Sequence, residues 1–133
     1  MTLIDRNVIL DVVTDDPGWA EWAVDALTSA SLAGPLCIND VVYAELAVRY
    51  ETIEDLDGLV AGMQLDVMPI PRAALFLASK AFLRYRRSAG TRTSVLTDFF
   101  MGAHAAVAGM PLLTRDVARY RTCFPTVELI TPR

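Results

Sequence analysis

Apolar residues fall into two rhythms along the chain. Unbroken short runs, Thr2-Leu3-Ile4, Leu36-Cys37-Ile38, Val67-Met68-Pro69-Ile70, Leu112-Leu113-Thr114 and Val127-Glu128-Leu129-Ile130, are too short for helices and are the expected strands. Between them the spacing turns helical. Residues 8–13 make a short apolar helix, and Asp16-Pro17 looks like an N-cap and first position ahead of Trp19, Trp22, Ala23, Ala26, Leu27 and Ala30. Asn39 caps a helix over 41–50, residues 52–65 form another, and 72–87 repeats through Leu75, Ala78, Phe82 and Tyr85. Residues 88–94 read as a loop leading into a helix from Thr97 that Gly109 ends and Pro111 does not continue. A short helix over 117–120 precedes the last strand. Strands alternating with helices predict right-handed βαβ units, hence a three-layer α/β/α domain with a mostly parallel sheet of four to five strands.

Size and composition narrow this to one domain over residues 1–133, since 133 residues at 53% hydrophobic content suit a single buried core. No apolar run approaches the roughly 18 residues of a membrane span, and the first residues lack a basic leader segment, so a cytoplasmic protein is expected with no membrane partner. Cys37 and Cys123 have no ligand-like spacing and read as buried reduced thiols. The net charge of -4 conceals an asymmetry: residues 1–66 carry thirteen acids against Arg6 and Arg49, whereas 67–133 carry ten basic residues against Asp98, Asp116 and Glu128. Arg72, Lys80, Arg84, Arg86, Arg87 and Arg92 fall in a stretch free of acids. Such a face either holds the phosphates of a polyanion or is a solvated helix end neutralised by the acidic half.

The topology gives four acids a common destination. Asp5 and Asp116 follow strand ends, and Glu45 and Asp98 ride helices that begin on the same side, so all four reach the edge where open parallel sheets bind ligands. Converging carboxylates raise one another's pKa unless a cation sits among them, and an all-oxygen donor set favours Mg²⁺ or Mn²⁺ over zinc. Three of the four also have an ordinary use, and Asp5 is the hardest to explain away. Glu45 can pair with Arg49, Asp98 can serve its helix's N-terminal dipole, and Asp116 can cap the next helix. Around Asp98 the nearest helical neighbours are Gly102 and Ala105, a thinly covered side. Asp11, Asp15 and Asp40 are assigned to helix ends or solvent, and His104, about 240° around the helix from Asp98, to a packed, hydrogen-bonded role.

In order and spacing, Leu3-Ile4-Asp5-Arg6-Asn7-Val8, Val42-Tyr43-Ala44-Glu45-Leu46, Asp98-Phe99-Phe100-Met101-Gly102-Ala103-His104-Ala105 and Leu112-Leu113-Thr114-Arg115-Asp116 resemble the PIN-domain ribonucleases, specifically the VapC toxins of toxin–antitoxin pairs. The resemblance spans nearly the whole chain. It implies that Asp5, Glu45, Asp98 and Asp116 hold a catalytic Mg²⁺ or Mn²⁺, with Asn7 and Thr114 as polar supports. It further implies cleavage of structured RNA by a metal-activated water, a cognate antitoxin that blocks the crevice, and a toxin homodimer. Arg84, Arg86, Arg87, Arg92 and Arg115 are then the candidates for RNA contact. The apolar residues Trp19, Trp22, Phe76 and Phe82 either receive a partner helix or belong to the core.

One position departs from the family pattern, which usually has a small residue, commonly threonine, where this chain has Arg6. Arg6 pairs with a site carboxylate, contacts RNA phosphate, or points away; the first weakens metal binding. The alternative function is accordingly a catalytically weak PIN fold acting only through antitoxin or RNA binding. Two other acidic-crevice classes fit poorly. An aspartate-nucleophile phosphohydrolase wants an aspartate where Asn7 stands, and a phosphoacceptor receiver domain wants a lysine near the crevice, whereas Lys80 is mid-helix.

Overall fold

The computed structural model describes residues 1–87 and 96–132. In chain order the elements are β1 (Thr2–Ile4), α1 (Arg6–Val13), α2 (Ala20–Ala33), β2 (Leu36–Asn39), α3 (Asp40–Ala47), α4 (Ile53–Gly62), β3 (Leu65–Met68), α5 (Arg72–Arg87), α6 (Leu96–Ala108), β4 (Leu112–Leu113), α7 (Ala118–Cys123) and β5 (Leu129–Ile130). Among the described residues the five strands form one sheet, every pairing parallel, in the order β3-β2-β1-β4-β5. Helices flank it to give the expected α/β/α arrangement. From β1 the chain winds outward to β2 and β3, crosses back to β4, and winds outward again to β5. The direction therefore reverses between β1 and β4, and in open parallel sheets the ligand crevice lies beyond the carboxyl ends of two such strands.

Burial follows strand position. Leu3 and Ile4 in β1, Cys37 and Ile38 in β2, and Leu112 and Leu113 in β4 are fully buried, as central parallel strands covered on both faces must be. β3 and β5 at the edges are only partly covered. On one side, α5 and α6 pack through an aromatic cluster in which Phe99 meets Phe82, Tyr85 and Phe124 at centroid distances of 5.5, 5.5 and 5.8 Å.

Several local expectations hold. Asn39 caps α3 by accepting from the Val42 N–H, Thr52 caps α4, and Gly109 takes a left-handed φ of +65° just past α6. Others shift for identifiable reasons. α2 begins at Ala20, not beside Asp16, because Pro17 to Trp19 form a turn whose Gly18 and Trp19 N–H groups both bond Asp16 Oδ1. The second half of the 52–65 stretch divides into the end of α4 and the start of β3. The side of α6 beside Asp98 is not thinly covered: the Phe124 ring lies against Gly102 so closely that a Cβ there would collide with it. The 88–94 loop reading lies outside the described residues.

Candidate active site

Asp5 leaves β1 with extended dihedrals (φ -76°, ψ 152°) and caps α1, its Oδ1 accepting from the Arg6 N–H at 2.8 Å. Its Oδ2 accepts from the Thr114 hydroxyl at 2.8 Å and the Tyr120 hydroxyl at 3.1 Å. Three donors thus fix a carboxylate that is only 7% exposed. Asn7 ties the same corner together, donating to Thr114 Oγ1 at 3.4 Å and accepting from the Arg115 N–H at 3.2 Å. The Asp116 N–H reaches Thr114 Oγ1 as well, at 3.0 Å. Asn7 and Thr114 together bridge the turns after β1 and β4.

The other acids are answered by arginines. Glu45, on the inner side of α3, accepts from Arg6 Nη1 at 2.7 Å and not from Arg49. Asp98, in the first turn of α6, accepts from Arg119 Nη1 at 2.5 Å, and the Arg119 guanidinium also lies 5.9 Å from the Tyr85 ring centre. Asp116 is exposed, and α7 starts after Val117 without a side-chain cap, so Asp116 does not spend its carboxylate on that helix.

The charges of these groups act on one another. Burial raises the Asp5 pKa, with the Thr114, Tyr120 and Arg6 hydrogen bonds pulling the other way. Burial also raises Glu45; Arg6 opposes this, and the charges of Asp5 and Asp98 add to it. Asp98 is raised by burial and then by Asp5, countered by Arg119, and raised again by Asp116. Burial, then the nearby Asp5 charge, pushes Tyr120 well above its ordinary value, which keeps it a neutral donor. The carboxylates nonetheless stand apart: among the described residues no group of three or more His, Cys, Asp or Glu side chains is gathered closely enough to hold an ion.

Two basic features separate. Arg84, Arg86 and Arg87 crowd the exposed last turn of α5, complementing the helix dipole, whereas Arg92 lies outside the described residues. Arg115 turns inward, with Nε at 2.6 Å and Nη2 at 3.0 Å from the two oxygens of Asp11 and its guanidinium 4.8 Å from the Trp19 ring centre. Asp11 is accordingly 3% exposed, so its assignment to a helix end or solvent is corrected: α1 turns that carboxylate inward because Arg115 neutralises it. Asp15 and Asp40 remain at the surface. His104 is buried, its Nδ1 3.1 Å from the Asn39 amide, and burial lowers its pKa.

A family model for the PIN domain matches residues 2–125. The chain belongs to the PIN-domain family. Among solved structures this PIN domain is similar to VapBC2 from Rickettsia felis bound to a DNA fragment from their promoter, with 13% identity, a TM-score of 0.73, and coverage of 98% of this chain and 97% of that one. It is similar to VapBC-1 from nontypeable Haemophilus influenzae at 14% identity and a TM-score of 0.72, over 98% and 96% of the two chains. FitAcB from Neisseria gonorrhoeae gives 20% identity and a TM-score of 0.67, over 97% and 96%. At these identities the likeness is one of fold. No curated protein is significantly similar in sequence. No helix among the described residues is long and apolar enough to cross a membrane.

Arg119 and Tyr120 are the site residues that sequence reading missed. Their signal was their place in the first turn of the short helix that follows Asp116, close in sequence to the carboxyl end of β4.

Proposed function

We propose that this PIN domain is a metal-dependent endoribonuclease of the VapC type, the cytoplasmic toxin of a toxin–antitoxin pair. The observation that carries the reading is the placement of Asp5 and Asp116 after β1 and β4, where the sheet order reverses, with the charges of Asp5 and Asp98 acting on Glu45 and those of Asp5 and Asp116 acting on Asp98. All four offer hard oxygen donors, the ligand chemistry that Mg²⁺ or Mn²⁺ takes. When bound, such an ion supplies a water acidified for attack on a phosphodiester and neutralises charge on the phosphoryl oxygens. Thr114 and Tyr120 hold Asp5 in place for that purpose, while Asn7 holds the turn that presents Asp116. The end of α5, with Arg84, Arg86 and Arg87, supports RNA phosphate contact, and the same role is proposed for Arg92; Arg115 serves it less well while it is committed to Asp11.

A further fold neighbour, with 17% identity and a TM-score of 0.68, is a toxin–antitoxin complex from Klebsiella pneumoniae by name, which supports a cognate antitoxin. Leu75, Phe76 and Leu83 on α5, exposed at 43%, 66% and 43%, support a homodimer or antitoxin face. Of the earlier apolar candidates, Phe82 packs on Phe99 and Trp22 sits edge-on to Trp19, whereas Trp19 and Phe76 stay exposed at 36% and 66%, each with a cation over its ring.

The test is Asp98→Asn, purified with wild type away from any partner and incubated with total RNA in Mn²⁺ and in EDTA. Metal-dependent cleavage by wild type, lost by at least about a hundredfold in the variant, is the expected result. Cleavage by wild type in EDTA, or equal cleavage by the variant, overturns the mechanism. The internal pairing of Glu45 and Asp98 with arginines favours the alternative, a catalytically weak PIN fold that acts through antitoxin or RNA binding; a folded wild type that binds RNA but cleaves none of it would select that reading.

A further inference from the structure

We infer that Arg6 competes with the divalent cation for Glu45, so that the cation enters by displacing the guanidinium and Arg6 sets the metal affinity of the crevice. The inference rests on the metal-dependent reading above. Two observations carry it. Arg6 Nη1 sits 2.7 Å from Glu45 Oε2, on one of the four carboxylates the ion would need. The described carboxylates are not gathered at ion-holding distance, and the two that the arginines have taken are Glu45 and Asp98.

The two arginines differ in how readily they yield. Arg119 has a side chain 19% exposed and is braced against Tyr85 as well as Asp98. Arg6 has a side chain 48% exposed and spends one nitrogen on Glu45, and its long stem lets the guanidinium swing into water without moving α1. A cation bearing two charges on a compact, hard centre outcompetes one delocalised charge for Glu45 once Asp5 contributes as well. With Arg119 retained and Arg6 displaced, four carboxylates face one fixed positive charge. Arg6 thus acts as a positioning residue: paired, it keeps Glu45 from the other acids; released, it lets them converge.

The experiment measures Mn²⁺ affinity directly, from the free-ion electron paramagnetic resonance signal, alongside metal-free and metal-bound melting temperatures. Wild type, Arg6→Thr and Arg6→Met are compared, the last because it keeps bulk while removing charge. Both variants are expected to bind Mn²⁺ about fivefold more tightly, the limit for one half-exposed ion pair. Their Mn²⁺-induced rise in melting temperature should exceed that of wild type; a merely structural Arg6 would move both states together. In a Glu45→Gln background the Arg6 substitutions should no longer change Mn²⁺ affinity. Equal affinities of wild type and both variants, or tightening that persists with Gln at 45, overturns the inference while leaving the metal site intact. Absence of Mn²⁺ binding by every protein, including the arginine variants, overturns the metal-dependent reading itself.

Discussion

Behind the crevice, Arg115 meets Asp11 with two nitrogens and lies over Trp19; within the crevice, Arg6 meets Glu45 with one nitrogen and stays half in solvent. The chemistry of the partners is the same, but the consequences differ. Asp11, with a side chain 5% exposed, has left water and depends on the fork of Arg115 for its charge to be tolerated. Glu45 keeps access to water, so its bond to Arg6 can be exchanged for another. The first pair fastens the turn after β4 onto α1. The second leaves a carboxylate available.

The difference is open to direct attack, starting with the largest effect. Arg115→Met should cost about 3 kcal/mol in urea denaturation, because it strands a buried carboxylate; a loss under about 1 kcal/mol would erase the distinction between the pairs. Tyr120→Phe should cost about 1 kcal/mol by removing one of the neutral donors to Asp5, with a further loss of Mn²⁺ affinity as that carboxylate loosens.

A pH series sharpens the contrast further. Burial, reinforced by Asp5, holds the Asp98 carboxyl above its usual pKa. The folded protein therefore binds more protons there than the unfolded chain does, so this contribution is full below the unfolded pKa and is lost as pH rises through the folded value. Metal-free wild type should lose stability relative to Asp98→Asn over that rise, read by urea denaturation from about pH 4 to 7. A flat difference would show that Arg119 fully offsets burial. The smallest effect belongs to Arg6→Thr, which should change metal-free stability by less than about 1 kcal/mol, and its coupling to Glu45 in a double-mutant cycle should shrink in 1 M salt while that of Arg115 with Asp11 persists.

The sheet was legible because its central strands are short, unbroken apolar runs that a parallel sheet buries on both faces, and Asn39 and Gly109 punctuate their neighbours with the chemistry those positions demand. Asp5 was legible for the same reason, as the first polar residue after such a run. Less visible was anything decided by which way a helix turns once packed. The rotation of α1 sends Asp11 to Arg115 and Arg6 to Glu45, and a sequence offers each of those arginines several partners at similar cost. The contact of Phe124 with Gly102 is likewise tertiary, since a glycine inside a helical repeat only weakens the helix until the ring that needs its space is known. Tyr120 sat at an ordinary core spacing, and only the structure shows its hydroxyl aimed at Asp5.

The order of strands across the sheet carries a consequence for synthesis. Of the described elements β1 is made first, yet its parallel neighbour β4 is made after nearly all the others. Until the segment after β4 is made, a nascent chain thus displays Asp5 with no Thr114 or Tyr120 to orient it. The arrangement around Asp5 therefore cannot assemble stepwise while the chain grows; it forms only when the β4 and α7 segments reach β1.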